Sequence, residues 1–162
     1  MSINFKIKSV HILVLLFAAS ILFSCNSKHY YQSAIEVPAG VWHYDSLVHF
    51  VVPINDSSAF YRIAFKIKHS QSYPYANLWI KVISKCPCGA VKIDTVNLWF
   101  IDAQNRFVGT KIGNTWTIVL PFQDSVKFPN NGDLEIFIQH IMRKNDVNGI
   151  SQIGIIVDQI KK

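Results

Sequence analysis

Three cysteines are the residues best placed to do chemistry, and their surroundings assign them different work. Cys25 follows directly on an apolar run, Ile12 to Phe23, that is preceded by Lys6 and Lys8. Twelve such residues fall short of the ~20 that cross a hydrocarbon core. A positive start followed by a short apolar stretch is instead the pattern of a signal peptide. The stretch closes in Leu22-Phe23-Ser24-Cys25, which resembles a bacterial lipobox. Ser24 is small enough for a peptidase pocket, and Cys25 offers the thiol that takes a diacylglyceryl group. The expectation is cleavage before Cys25 and lipidation at Cys25. Two or three acyl chains, at ~0.8 kcal/mol per buried methylene, hold a chain on a membrane firmly.

Cys86 and Cys88 flank Pro87 in Lys-Cys-Pro-Cys-Gly. An oxidising envelope permits a disulfide across this tight ring, and a turn with free thiols is the other structural use. Redox pairs more often enclose two residues. A metal site would need two further ligands, and no second cysteine pair or close histidine pair supplies them. No metal ligand set is assigned.

Nor does the rest of the chain offer a catalytic set. His11, His29, His43, His49, His69 and His140 do not pair with one another or with a carboxylate at ligand spacing. His140 shares a strand face with Ile138 and Met142 and reads as a core or edge residue. Most carboxylates (Asp45, Asp56, Asp102, Asp124, Asp133, Asp146) fall in turns, where they bond their own backbone. There is no glycine-rich phosphate loop or serine elbow. The expectation is therefore a non-enzymatic protein without cofactor or small-molecule substrate. Trp42, Tyr73, Tyr75, Trp79, Trp99 and Trp116 read first as core fillers, with a sugar-stacking platform as the alternative. Tyr73-Pro74-Tyr75 is different, because it lies in a loop and so is a candidate partner contact.

The elements that position these residues are strands. Residues 1–24 are read as the signal peptide, 25–41 as a lipidated N-terminus and tether, and 42–162 as one domain. Phe60 to Lys68 alternates most clearly, with Tyr61, Ile63, Phe65 and Ile67 on one side and Arg62, Lys66 and Lys68 on the other. Leu47–Ile54, Asn77–Ser84, Ile93–Ile101, Thr115–Leu120, Leu134–Met142 and Ile153–Ile160 behave similarly, and Arg106–Val108 is a short return. Turn residues such as Asn55-Asp56-Ser57-Ser58 and Pro129-Asn130-Asn131-Gly132 separate them. The pattern predicts an all-β chain: a single β-sandwich, jelly-roll-like in its connections, of about eight antiparallel strands. The net charge of +6 is scattered, which argues against nucleic acid as a partner.

The ordered set of features resembles the GldH-type gliding motility lipoproteins of the Bacteroidetes. The pieces are the lipobox at Cys25, Gly40-Val41-Trp42-His43, Phe60-Tyr61-Arg62-Ile63, Tyr73-Pro74-Tyr75-Ala76-Asn77-Leu78 and Asp94-Thr95. They continue with Gln139-His140-Ile141-Met142-Arg143, Gly149-Ile150 and Ile153-Gly154-Ile155. The resemblance implies a cell-envelope lipoprotein of the gliding apparatus, anchored by lipid, with other gliding or secretion envelope proteins as partners. A glycan- or peptidoglycan-binding lipoprotein is the alternative. Asn26-Ser27-Lys28 carries no acidic residue after Cys25, which points to a periplasm-facing anchor.

Overall fold

Alternation of apolar and polar side chains decides the architecture. The computed structural model describes residues 29–160. The expected signal peptide, residues 1–24, and Cys25 lie outside the described residues. Eleven strands follow in order: β1 (Tyr31–Glu36), β2 (Val41–His43), β3 (Val48–Ile54), β4 (Phe60–Ser70), β5 (Asn77–Lys85), β6 (Val91–Trp99), β7 (Thr110–Ile112), β8 (Thr115–Val126), β9 (Gly132–His140), β10 (Asp146–Asn148) and β11 (Ile150–Ile160). They form a five-stranded sheet in the order β1-β11-β4-β8-β7, a four-stranded sheet β3-β9-β5-β6, and a small β10-β2 ribbon. Every pairing is antiparallel. The two larger sheets pack as a sandwich.

In β4 the side chains of Tyr61, Ile63, Phe65 and Ile67 are buried while Arg62 is exposed and Lys66 and Lys68 are half-buried. From β11 come Ile153, Ile155 and Val157, all fully buried. The facing sheet contributes Phe50, Val52 and Ile54, Leu78, Ile80 and Val82, and Leu134, Ile136 and Ile138. These residues join in one hydrophobic core. Removal of this apolar surface from water is what drives the sheets together.

Two expectations need correction. The strand number is eleven rather than eight: Arg106–Val108 makes only an isolated bridge, Phe107 to Ile101, while β1, β2, β7 and β10 are short or edge elements that carry no full alternating face. The ordered domain also begins ten residues before Val41, inside the segment expected to be tether. Tyr31–Glu36 pairs residue for residue with Val157–Gln152, and the backbone ladder rather than a dry face holds it. A 3-10 turn at Pro38–Gly40 then carries the chain to β2.

β8 also runs further than Thr115–Leu120, straight through Pro121. Proline has no N–H to give a ladder and is confined to edges or bulges. Both conditions hold here. β7 covers only Thr115–Thr117 of one side of β8, and the β4–β8 register slips twice between Tyr61 and Ala64. The loop before β7 turns at Gly109, whose φ is +100°. A Cβ there would sit 2.3 Å from the Thr117 carbonyl oxygen, so only glycine fits.

The register fixes where the chain enters and leaves. Tyr31 lies opposite Val157, and Ile160 opposite Phe60. Both ends of the described chain therefore emerge at one end of the sandwich, beside the turns after β3, β5 and β8. No helix among the described residues is long and apolar enough to cross a membrane.

Candidate functional site

Three carboxylates of the sandwich are engaged in turns and ion pairs. Asp56 accepts hydrogen bonds from the backbone and hydroxyl of Ser58, at 2.9 and 2.6 Å, and these hold its carboxyl below the usual range. Asp102 accepts from the backbone N–H groups of Gln104 and Arg106, at 2.9 and 3.0 Å, with the same effect, Arg106 contributing most. Glu135 sits between Lys85 at 2.8 Å and His49 at 3.2 Å, and Lys85 does most to depress its pKa. Among the described residues no group of three His, Cys, Asp or Glu could hold a metal ion.

Two histidines are fully buried. His69 Nδ1 donates to the Ser70 carbonyl at 3.0 Å, which leaves Nε2 as an acceptor with no hydrogen-bond partner. His140 packs edge-on against Trp42 and Tyr44, and neither ring nitrogen makes a hydrogen bond of standard geometry. Desolvation lowers the pKa of both. His140 is thus a core residue.

Tyr73 departs from the expected partner contact. It is 3% exposed, its hydroxyl donates to the Asn77 carbonyl at 2.9 Å, and its ring meets His69, Tyr75 and Phe100. The Gln71–Ala76 loop turns that ring inward to cap the sandwich. Of the three residues only Pro74 is exposed, and Tyr75 is half-buried. Cys86 and Cys88 lie side by side as a disulfide pair at the β5–β6 turn, their Cα atoms 5.1 Å apart. The turn is closed by Cys86 N–H donating to the Ala90 carbonyl and Gly89 N–H to the Cys86 carbonyl, both at 2.8 Å. Cys25, the expected lipidation site, is outside the described residues.

The tryptophans divide. Trp42 is buried, and its indole N–H donates to the Ser46 carbonyl at 2.9 Å. Trp79 and Trp99 are instead 41% and 55% exposed. Both stand on the outer face of the four-stranded sheet. Trp79 lies opposite Asn97 and Trp99 opposite Asn77, so the two indoles are diagonal neighbours, with Cα atoms about 7–8 Å apart. Asn77 Nδ2 donates to Asn97 Oδ1 at 2.6 Å beside them. Val91, Ile93 and Val51 are exposed on this same face. Reading the tryptophans as core fillers missed this, although Trp79 sits on the polar parity of β5 with Asn77, Lys81 and Lys85. β6 is also a free edge: no strand pairs with its far side among the described residues. An apolar, aromatic surface at a sheet edge is suited to holding another molecule.

The sequence profile described as "GldH lipoprotein" matches residues 29–157, nearly the whole described sandwich. This chain belongs to the GldH lipoprotein family. A GldH homolog from Christiangramia forsetii, named a gliding motility lipoprotein, is 30% identical over 148 residues, 91% of this chain and 90% of that one. Gliding motility lipoprotein GldH of Flavobacterium johnsoniae is 29% identical over 157 residues, 90% of this chain and 94% of that one. Among solved structures, a dimeric latent PorU from Porphyromonas gingivalis superposes with a TM-score of 0.35 at 10% identity, over 83% of this chain and 13% of that one. The GldH match thus spans the aromatic face as well as the buried core.

Proposed function

We propose that this GldH-family lipoprotein is a non-enzymatic component of the gliding machinery, held on an envelope membrane through Cys25, facing the periplasm, and serving as a scaffold for other envelope proteins of that machinery. The observation that carries the reading is the exposed apolar face around Trp79, Trp99, Val91 and Ile93. Such residues on a solvated sheet face are suited to a protein contact, where aromatic anchors supply most of the binding energy. Two relatives named as gliding motility lipoproteins give the process. The engagement of Asp56, Asp102 and Glu135 in turns and ion pairs and the burial of His69 and His140 support a structural use of these groups. The test is gliding and colony spreading in a strain deleted for this gene and complemented with wild type, Cys25→Ala or Trp79→Ala/Trp99→Ala. Rescue by wild type but by neither variant is the expected result. Full rescue by the tryptophan variant removes the scaffold surface from consideration.

A second reading is favoured by the diagonal placement of Trp79 and Trp99 beside Asn77 and Asn97. That arrangement offers stacking and hydrogen bonding together, as a glycan requires. Titration of tryptophan emission with peptidoglycan fragments distinguishes it, since a scaffold face would leave the emission unmoved.

A further inference from the structure

The sandwich has a second outer face, and its chemistry is the opposite of the aromatic one. On the five-stranded sheet the outward residues of β4 are Arg62, Ala64, Lys66 and Lys68. The three cations span six residues of strand, about 20 Å. None of them forms an ion pair among the described residues. Their cross-strand neighbours are Asp158, Ile156, Gly154 and Gln152 on β11, with Ala34 beyond Gly154 on β1. The Asp158 carboxylate is taken by His29 at 2.7 Å, and Glu36 by the Gln152 amide. Asp124 lies in the β8 bulge opposite Arg62, between the Ile63–Gln123 and Tyr61–Val126 pairs, and forms no ion pair with it among the described residues. The centre of the face is therefore a basic stripe flanked by Ile156, Gly154 and Gln152 on β11 and by Pro121, Val119 and Thr117 on β8, with no carboxylate directly beside Lys66 or Lys68, open to a broad anionic surface.

The position of the chain end says which surface that is. His29 is pinned to this same sheet by Asp158, and the adjacent Tyr30 hydroxyl donates to the Pro53 carbonyl at 2.7 Å. His29 is four chain steps from Cys25, a reach of about 14 Å at full extension. A lipid on Cys25 thus keeps the edge of the basic sheet within that distance of the bilayer.

We infer that the outer face of the β1-β11-β4-β8-β7 sheet lies on the anionic headgroups of the membrane, with Arg62, Lys66 and Lys68 as the contacting cations. One acyl signal joined to a basic patch is a common two-part anchor. The orientation turns the Trp79 and Trp99 face away from the lipid. It rests on the Cys25 anchor of the proposed function for its geometry, while the lipid affinity of the face itself does not.

The test uses the chain from Cys25 onward carrying Cys25→Ser, so that no acyl group contributes. Its co-sedimentation is measured with vesicles of phosphatidylcholine alone and of phosphatidylcholine mixed with phosphatidylglycerol. Binding to the mixed vesicles only, reversed by high salt, is expected. The triple change Arg62→Glu/Lys66→Glu/Lys68→Glu should lower that binding by roughly a hundredfold, with circular dichroism and the melting curve as controls for folding. If the reversed variant fails to fold, Arg62→Gln/Lys66→Gln/Lys68→Gln takes its place. Equal binding to both vesicle types, or a variant that binds as well as its parent, overturns the inference. A parent chain that ignores both vesicles also overturns it and leaves an acidic protein as the occupant. Mass spectrometry of Cys25 in cell envelopes reports separately on the anchor.

Discussion

The His69 imidazole lies flat on the ring of Phe100, with 4.8 Å between centroids and 7° between planes. Tyr73 and Phe107 close the same pocket. Among the described residues a protonated imidazole here forms no ion pair with a carboxylate, and its hydrogen bond goes to the Ser70 carbonyl. His140 is enclosed by Trp42 and Tyr44, with Asp146 favouring and His43 opposing its charged form.

Stability should therefore fall in mild acid. Burial holds both histidine pKa values below 6.5 in the folded chain. Below that value the unfolded chain binds more protons than the folded one, so stability rises with pH across the window. The protection is complete above the unfolded value and is lost as pH drops toward the depressed folded value. Asp56, Asp102 and Glu135, whose pKa values are lowered, act only in stronger acid. Melting curves should show a lower midpoint at about pH 5.5 than at about pH 7.5. His140→Phe should flatten that difference. A midpoint independent of pH over this range contradicts the argument.

Gly109→Ala should destabilise the fold by roughly 2 kcal/mol or more, combining the left-handed backbone cost with a backbone clash at Thr117. Urea unfolding measures it. Gly113→Ala is the useful comparison: its φ is +59°, but a Cβ there meets nothing within 4 Å. The smaller loss expected there isolates the contribution of the Thr117 contact.

Phe65→Ala removes a fully buried ring that packs against Phe122 at 4.9 Å. A loss of about 3–5 kcal/mol is expected. The fold would then lie near the edge of stability for a domain of this size, and expression as well as unfolding would report it.

Alkylation with and without reductant counts the thiols of the chain from Cys25 onward. Cys86 and Cys88 should be protected until reduced. Breaking the pair with Cys86→Ser/Cys88→Ser should cost only about 1–2 kcal/mol, because so short a ring removes little freedom from the unfolded chain. Free reaction of both thiols in the oxidised protein would assign the turn to its backbone hydrogen bonds alone.

Trp79→Ala/Trp99→Ala should leave the melting midpoint nearly unchanged, since exposed substitutions usually lie within about 0.5 kcal/mol. Trp42→Ala should lower it strongly. A large loss from the exposed pair would show that these rings support the sheet.

Tyr61, Ile63, Phe65 and Ile67 made β4 legible because its two faces meet different solvents, and β3, β5 and β9 follow the same rule. Tyr31–Glu36 was not legible: an edge strand held by its ladder leaves no periodic mark. Pro121 looked like a strand end because a sequence does not show which side of a strand lacks a neighbour. Tyr73 illustrates the same limit within the site. Its flanking Pro74 and Ser72 mark a loop, and only tertiary packing directs the ring inward. For Trp79 the signal was present in its parity with Asn77, Lys81 and Lys85, and a general preference for buried indoles obscured it; Trp99 was not legible, because both parities of β6 mix apolar and polar residues.

The pairing of Ile35 with Ile153 has a consequence for the order of folding. The first described strand has its sole sheet partner in the last one. A chain threaded across a membrane from its N-terminus presents β1 early and must leave it unpaired until β11 emerges. The four-stranded sheet needs only β3, β5, β6 and β9, so it can assemble sooner. Closure of the other sheet across so long a loop is slow. An exported chain would thus be tethered at one end before its barrier to unfolding is in place, and during that interval β1 is the segment most open to proteases and to holdase chaperones.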